Sequence, residues 1–429
     1  MSSHSAVIDP PPQSTRQAVA AAVVGNVLEW YDFGVYAFVA TILSQKFFPA
    51  GDPAVALLSV FLAYGLGFLA RPLGGIVIGR LGDLRGRKLA LLVTMLLMAV
   101  GTVLIGVLPT YAAIGYAAPL LLVLARLLQG FSAGGEWGSS TSYIVEWAPA
   151  GRRGYFGSFQ QVSTVAGLLL GSAVGAGLNS ILTPEQMSDW GWRLPFLFGA
   201  ILGPVGFWMR RTMAETPAYE RHAAAPVVTA PATERGPFAL AVLAFAFTIV
   251  WTVCFYVLLS YMPTYTQQVL HLSPSAALWS NTVGLVVLVV CIPLMGALSD
   301  RLGRKPLLLV CCAAFILLPY PVFSYLVANP SFGTLVAVQI LFAVLISMFS
   351  GPGPAAIAEI FPTRSRSTWM TTGYALAVAV FGGFAPVISL SLIQAFASPL
   401  AHTFYLIAAA VASGLAILAL RETAHAALD

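Results

Sequence analysis

Charge is what this 429-residue chain has least of: Asp, Glu, Lys and Arg make up only 9% of it, where a soluble domain carries about a quarter. That shortage excludes an ordinary water-facing surface, and the 59% hydrophobic content and mean hydropathy of +0.86 say what replaces it. Cysteine is scarce too. Cys254, Cys291, Cys311 and Cys312 all fall inside apolar runs, which excludes a disulfide framework and a metal site built on cysteine spacing. No glycine-rich phosphate cradle is present, so an ATP-driven pump is excluded and no cofactor is expected. Residues 1–17 have no basic stretch leading into a short apolar segment and cleavage site, and read as a disordered Pro-rich tail rather than a signal peptide.

What the chain does have is long apolar runs, each near the roughly 20 residues that cross a bilayer. Twelve are expected, over 18–43, 54–81, 88–108, 115–146, 155–182, 193–210, 238–262, 275–299, 306–328, 332–359, 368–396 and 400–420. Of the 21 Lys and Arg, seventeen lie in the tails or in the connections after the even-numbered spans; only Lys46 and Arg193 lie in the opposite connections. The positive-inside bias then puts both termini in the cytoplasm. The net charge of +5 and pI near 9.1 are therefore a topology signal, with no basis for nucleic-acid binding.

The chain also repeats itself. Gly79-Arg80-Leu81-Gly82-Asp83-Leu84-Arg85-Gly86-Arg87-Lys88 returns 217 positions later as Gly296-Ala297-Leu298-Ser299-Asp300-Arg301-Leu302-Gly303-Arg304-Lys305, with six of ten positions identical. Glu146-x-x-Pro149 returns 213 positions later as Glu359-x-x-Pro362. One half-molecule built twice in a membrane points to a transporter with its site between the halves. The expected plan is an all-α membrane protein: twelve transmembrane helices in two pseudo-symmetric six-helix bundles, over 18–210 and 238–421. The Pro-rich stretch 211–237 links them, and 422–429 forms a second tail.

Buried ionisable groups cost at least ~2.5–3.5 kcal/mol each in a bilayer, so each deep one is a functional candidate. Five are expected, Glu29, Asp32, Arg71, Arg126 and Glu136, all in the first half; spans seven to twelve carry none. Asn26, Glu29, Asp32 and Tyr36 form a polar stripe on one face of the first span, and Arg126, Gln129, Glu136 and Ser140 another on the fourth. Arg126 has the forked donors that hold a carboxylate; alternatively it pairs permanently with Glu136 or Asp32. Glu29, Asp32 and Glu136, with Arg71, are the candidates for proton coupling, and Arg71 with one carboxylate is equally readable as a structural ion pair.

Tyr36, Gln160, Gln161, Tyr256, Asn281 and Tyr374 are candidates to line the substrate cavity with Arg126, and Thr164, Tyr261, Thr371 and Thr372 are further polar positions. Asp83, Arg87, Asp300 and Arg304 of the repeated element are expected to latch a cytoplasmic gate, each Asp capping the next helix or pairing with nearby arginines. Gly167, Gly171 and Gly175 suit close helix approach, whereas Gly351-Pro352-Gly353-Pro354 fits either a simple kink or a hinge.

The duplicated plan with both repeated elements resembles the major facilitator superfamily. Gly25-Asn26-x-x-Glu29-Trp30-Tyr31-Asp32-Phe33, Arg71-Pro72-x-Gly74-Gly75, Arg126-x-x-Gln129-Gly130, Gly134-Gly135-Glu136-Trp137-Gly138, Asp189-Trp190-Gly191-Trp192-Arg193-x-Pro195-Phe196 and Glu359-x-Phe361-Pro362 together resemble its metabolite:proton symporters, over about residues 18–421. That resemblance implies uptake of a small organic acid or zwitterion (citrate, 2-oxoglutarate, shikimate, proline or betaine) with protons, through the inner membrane, by a non-enzymatic carrier expected to be a monomer. Ser188-Asp189-Trp190-Gly191-Trp192 and Phe381-Gly382-Gly383-Phe384-x-Pro386-Val387-Ile388-Ser389 look most like the citrate and tricarballylate carriers. The osmosensing branch has a long C-terminal coiled coil, whereas this chain stops eight residues after Arg421; drug exporters carry a Gly-Pro motif in the fifth span, where 155–182 has no proline. A sensor on a non-transporting scaffold is the alternative class.

Overall fold

The computed structural model describes residues 15–49, 51–85, 87–134, 137, 140–141, 144–145, 148–149, 151–199, 203, 236–361 and 363–424. Most of the expected linker, most of both tails, Glu136 and Glu146 lie outside them, as do the side chains of Asp83 and Arg87. The described residues form helices and turns only, because a helix satisfies its own backbone hydrogen bonds where no water can. The described residues of every expected span fall mainly on helix, the fourth being described without a gap only to Gly134 and the sixth only over 193–199 and at 203. Among the described residues, seven helices are long and apolar enough to cross a membrane alone, and an eighth follows if Arg304–Leu317 and Pro319–Ala328, bent by 46°, count as one.

Small residues let the helices that carry the site approach closely. A Cβ on Gly130 would lie 1.6 Å from the Gly67 carbonyl oxygen, so Pro53–Leu69 and Ala117–Ala133 touch backbone to backbone there. A Cβ on Gly167 would lie 2.4 Å from the Val27 carbonyl, which packs the first span against Arg153–Ile181. The helix Pro274–Leu302 packs along the other side of Arg153–Ile181, joining the two halves.

Two π-helical turns, Tyr256–Tyr261 and Val378–Gly382, interrupt the seventh and eleventh spans. They face each other: a Cβ on Gly382 would lie 2.1 Å from Thr252 Oγ1 and 2.7 Å from the Tyr256 ring. Such turns leave the regular backbone ladder and recur at functional sites. The Gly351–Pro354 stretch breaks the tenth span between Phe332–Ser350 and Gly353–Glu359, with Gly353 packed under the Trp251 ring.

The halves are closed against each other at both ends. On the face bearing the repeated element, the Gly154 and Tyr155 amides donate to Asp300 at 2.8 and 2.9 Å, and Arg153 lies 3.6 Å from Glu359. Asp300 thus caps a helix of the opposite half and pairs with Arg304 at 2.8 Å, whereas the helix that follows it begins at Arg304 and has its first amides taken by Glu422. At the other end Ser172 meets Thr282 at 2.8 Å, Trp279 Nε1 donates to Ser180 at 3.1 Å, and Phe61 stands edge-on to Tyr261 at 5.7 Å.

Candidate substrate and proton site

The centre of the molecule is built around Arg126, a fully buried guanidinium half-way along the fourth span. Its charge is met by ring faces: Phe33 at 4.6 Å, Tyr36 at 4.5 Å and Tyr64 at 5.0 Å. Its Nη1 donates to Gln129 Oε1 at 2.6 Å, whereas Nε and Nη2 find no partner among the described residues. An unpaired buried polar group costs about 1–3 kcal/mol, more when charged, so a guanidinium with two open donors is poised for an anion. Arg126 makes no direct contact with Asp32, and Glu136 lies outside the described residues.

The polar stripe of the first span spreads over four neighbours. Asn26 donates to Ser163 at 2.7 Å and Thr164 at 3.0 Å, tying the first span to the fifth. Glu29 forms a buried ion pair with Arg71 at 3.3 Å. Arg71 in turn lies 4.7 Å from the Phe33 ring, so Phe33 stands between the two deep arginines. Asp32 accepts from the Thr102 hydroxyl, and Thr102 accepts from Gln129 Nε2 at 2.9 Å. Tyr36 gives its hydroxyl to the Val60 carbonyl at 3.0 Å and offers Arg126 only its ring.

A cavity of about 30 Å³ lies on the far side of Asp32, lined by Glu29, Asp32, Thr94, Met98, Ser132 and Gly199 among others. That is room for about one water.

The other expected lining residues divide into four groups. Gln160, Gln161 and Tyr256 are buried and keep polar atoms without partners among the described residues. Tyr374 stacks on Trp137 with ring centroids 3.5 Å apart, next to Trp251, making an aromatic wall from both halves. Asn281 sits instead in the seam near the second closed end, 3.5 Å from both Ser172 and Gln339. Thr371 is half-buried, and Thr372 is exposed.

Sequence reasoning missed Tyr64, Thr102 and Glu422. Thr94 and Thr102 are the only hydroxyls in the third span, and their spacing of eight puts both on one helical face; that pattern marks them. Glu422 falls in the stretch expected to be tail. Its carboxylate accepts from the Arg304 and Lys305 amides, both at 2.9 Å, and Thr423 donates to Glu359 at 2.6 Å. Gly303, at φ +97°, has to be glycine there, since a Cβ would lie 2.6 Å from Glu422.

Comparison with known proteins places this geometry. Residues 18–229 match the model of the family described as sugar (and other) transporter, and residues 270–428 that of the major facilitator superfamily. The chain is 38% identical over 380 residues to a citrate-proton symporter of Klebsiella pneumoniae, covering 88% of this chain and 85% of that one. It is 33% identical over 422 residues to the glycine betaine/proline/ectoine/pipecolic acid transporter OusA of Dickeya dadantii, covering 96% and 84%. The solved structure of the proton:xylose symporter XylE superposes with a TM-score of 0.78 at 18% identity, covering 96% of this chain and 97% of that one, and shows the shared fold.

Proposed function

Because the chain belongs to the metabolite:proton symporters of the major facilitator superfamily, a transporter family rather than an enzyme family, we propose that it imports a small carboxylate together with protons, by alternating access. The carrying observation is Arg126: buried, central, cushioned by three rings and holding two open donors. A carboxylate engages that fork through two parallel hydrogen bonds.

Substrate and proton meet through Asp32. With Asp32 ionised, the Arg126 charge is balanced within the first half; with Asp32 protonated, Arg126 has an uncompensated charge that a substrate carboxylate answers. Glu29 is held by Arg71 at 3.3 Å and serves better as structure than as carrier. The proton reaches Asp32 from the 30 Å³ cavity side, and the substrate reaches Arg126 from the seam between the halves.

Release requires the Asp300–Gly154 and Arg153–Glu359 contacts to part on the cytoplasmic face, while the Ser172–Thr282 seam stays shut. Both termini then lie in the cytoplasm and the chain in the inner membrane. The substrate is a di- or tricarboxylate such as citrate: beyond Arg126, Gln160 Nε2 and the Tyr256 hydroxyl are open donors for a further carboxylate, and the Gln160 and Gln161 amide oxygens are open acceptors for a substrate hydroxyl.

A second reading, proline or betaine, draws on the Trp30, Tyr64, Phe68 and Tyr256 rings, which meet in pairs at 5.1–6.4 Å and already hold one cation, the Arg71 guanidinium, against Trp30 and Phe68. Thermal-shift screening against citrate, other di- and tricarboxylates, proline and glycine betaine separates the two, and uptake into proteoliposomes under an imposed pH gradient tests the symport itself. Binding without transport would make the chain a sensor on a transporter scaffold.

A further inference from the structure

Arg126 and Asp32 are joined by two uncharged side chains that do not themselves ionise. Arg126 Nη1 donates to Gln129 Oε1 at 2.6 Å, Gln129 Nε2 donates to Thr102 Oγ1 at 2.9 Å, and the Thr102 hydroxyl donates to Asp32 Oδ2. Every donor in this chain points from the cation towards the carboxylate. Thr102 also has a second acceptor within reach, the Met98 carbonyl of its own helix at 3.0 Å. A hydroxyl has one proton to give, so it serves one of these acceptors at a time.

We propose that Thr102 and Gln129 are positioning residues that transmit the protonation of Asp32 to Arg126, with the Thr102 hydroxyl switching between Asp32 and the Met98 carbonyl. This rests on the reading that Asp32 carries the proton and Arg126 holds the substrate carboxylate. When a proton from solvent binds Asp32 Oδ2, that oxygen becomes the donor and Thr102 Oγ1 the acceptor. The Thr102 hydrogen then turns to Met98, and the new O–H on Asp32 is the one covalent bond that changes. Thr102 Oγ1 has two lone pairs and now accepts from both Asp32 and Gln129 Nε2, and with the carboxylate charge gone the donors that it drew along the chain are held less tightly. Arg126 loses its hold on Gln129 and presents Nη1, with Nε and Nη2, to the substrate.

The surroundings of Asp32 leave room for this to be the main route. Glu29 and Tyr31 lie on its own helix, with Glu29 paired to Arg71 and the Tyr31 hydroxyl donating to the Pro195 carbonyl at 2.7 Å. Arg126 approaches from the fourth span. The third span and the described part of the sixth bring only Thr94, Met95, Met98, Ala99, Gly199 and Gly203 to the adjoining cavity, none of them titratable.

The test needs no substrate. Infrared titration of the full-length protein in lipid nanodiscs follows the carboxylic-acid band that Asp32→Asn removes. In Thr102→Val the midpoint of that band is expected to move to higher pH by about one unit, because a carboxylate that loses a donor ionises less readily. Thr102→Ser is expected to keep the wild-type midpoint. Gln129→Met is expected to move it in the same direction although Gln129 does not touch Asp32, and this variant carries the test should Thr102→Val not fold. A wild-type midpoint in both Thr102→Val and Gln129→Met overturns the relay and leaves the proton reading of Asp32 standing. If Asp32→Asn removes no titrating band between about pH 5 and about pH 9, the proton reading and the relay fall together.

Discussion

Arg126 lies over the Tyr36 ring at 4.5 Å, while the Tyr36 hydroxyl is turned away and donates to the Val60 carbonyl. The two residues therefore meet as cation and π-face, and the hydroxyl takes no part. Tyr36→Phe should leave substrate affinity unchanged and cost about 0.5–1.5 kcal/mol of stability for the lost hydrogen bond. Tyr36→Leu should weaken binding, since a cation–π contact at a desolvated site is worth about 2 kcal/mol. Binding isotherms and melting curves of the two variants check this; equal losses of affinity would place the hydroxyl at the substrate.

Arg126→Lys should fold and bind citrate or glycine betaine at least about tenfold more weakly, because an ammonium cannot reproduce the two parallel hydrogen bonds of the fork. Wild-type affinity in that variant would remove Arg126 from the site. Arg126→Gln with normal uptake would reduce it to packing.

The gate should separate rate from affinity. Asp300 joins the Gly154 and Tyr155 amides of one half to Arg304 of the other at 2.8–2.9 Å. Asp300→Asn should slow uptake about five- to tenfold, as a 1–1.4 kcal/mol bias on gating does, with equilibrium affinity spared. Full-rate transport would show that the contact does not gate. Asp83→Asn is expected to act alike, through the sequence repeat.

Glu422 gives the gate a pH sign. Partial burial pushes its carboxyl up, but the amides of Arg304, Ala424, Lys305 and Thr423 together outweigh this and hold it below the ordinary glutamate value. A lowered value means the contact is complete at neutral pH and is lost only as pH falls through that lowered value. Glu422→Gln should therefore speed hydrogen exchange at the Arg304 and Lys305 amides about tenfold at neutral pH, and the wild type should match it only in strong acid. Unchanged exchange in the variant would show that the tie holds nothing.

The spans, the duplication and the deep charges were legible because each is a one-dimensional signal: apolar length, a fixed offset, an ion where none is cheap. Their partners were legible only in part: an ion pair of Arg71 with one carboxylate could be read, but not which carboxylate. Glu29 finds Arg71 42 positions away and Asp32 finds Thr102 70 away, and a stripe on one helix says nothing of which neighbour it meets. The crossing of Asp300 to Gly154 was hidden for the same reason, since a motif read along the chain suggests the next helix, and packing supplied one 146 positions earlier. Asn281 makes the same point: its burial could be expected, but not that it would sit in the seam with Ser172 and Gln339.

The coupling of proton to substrate through Asp32 is tested most directly by running two assays on Asp32→Asn in proteoliposomes: exchange of labelled for unlabelled citrate, and accumulation of citrate driven by an imposed pH gradient, each repeated with glycine betaine. Exchange needs only the loaded carrier to reorient, whereas accumulation needs the proton to leave before the empty carrier returns. Asp32→Asn is expected to keep exchange and lose accumulation. Accumulation against a gradient at the wild-type level would contradict the assignment of the proton to Asp32.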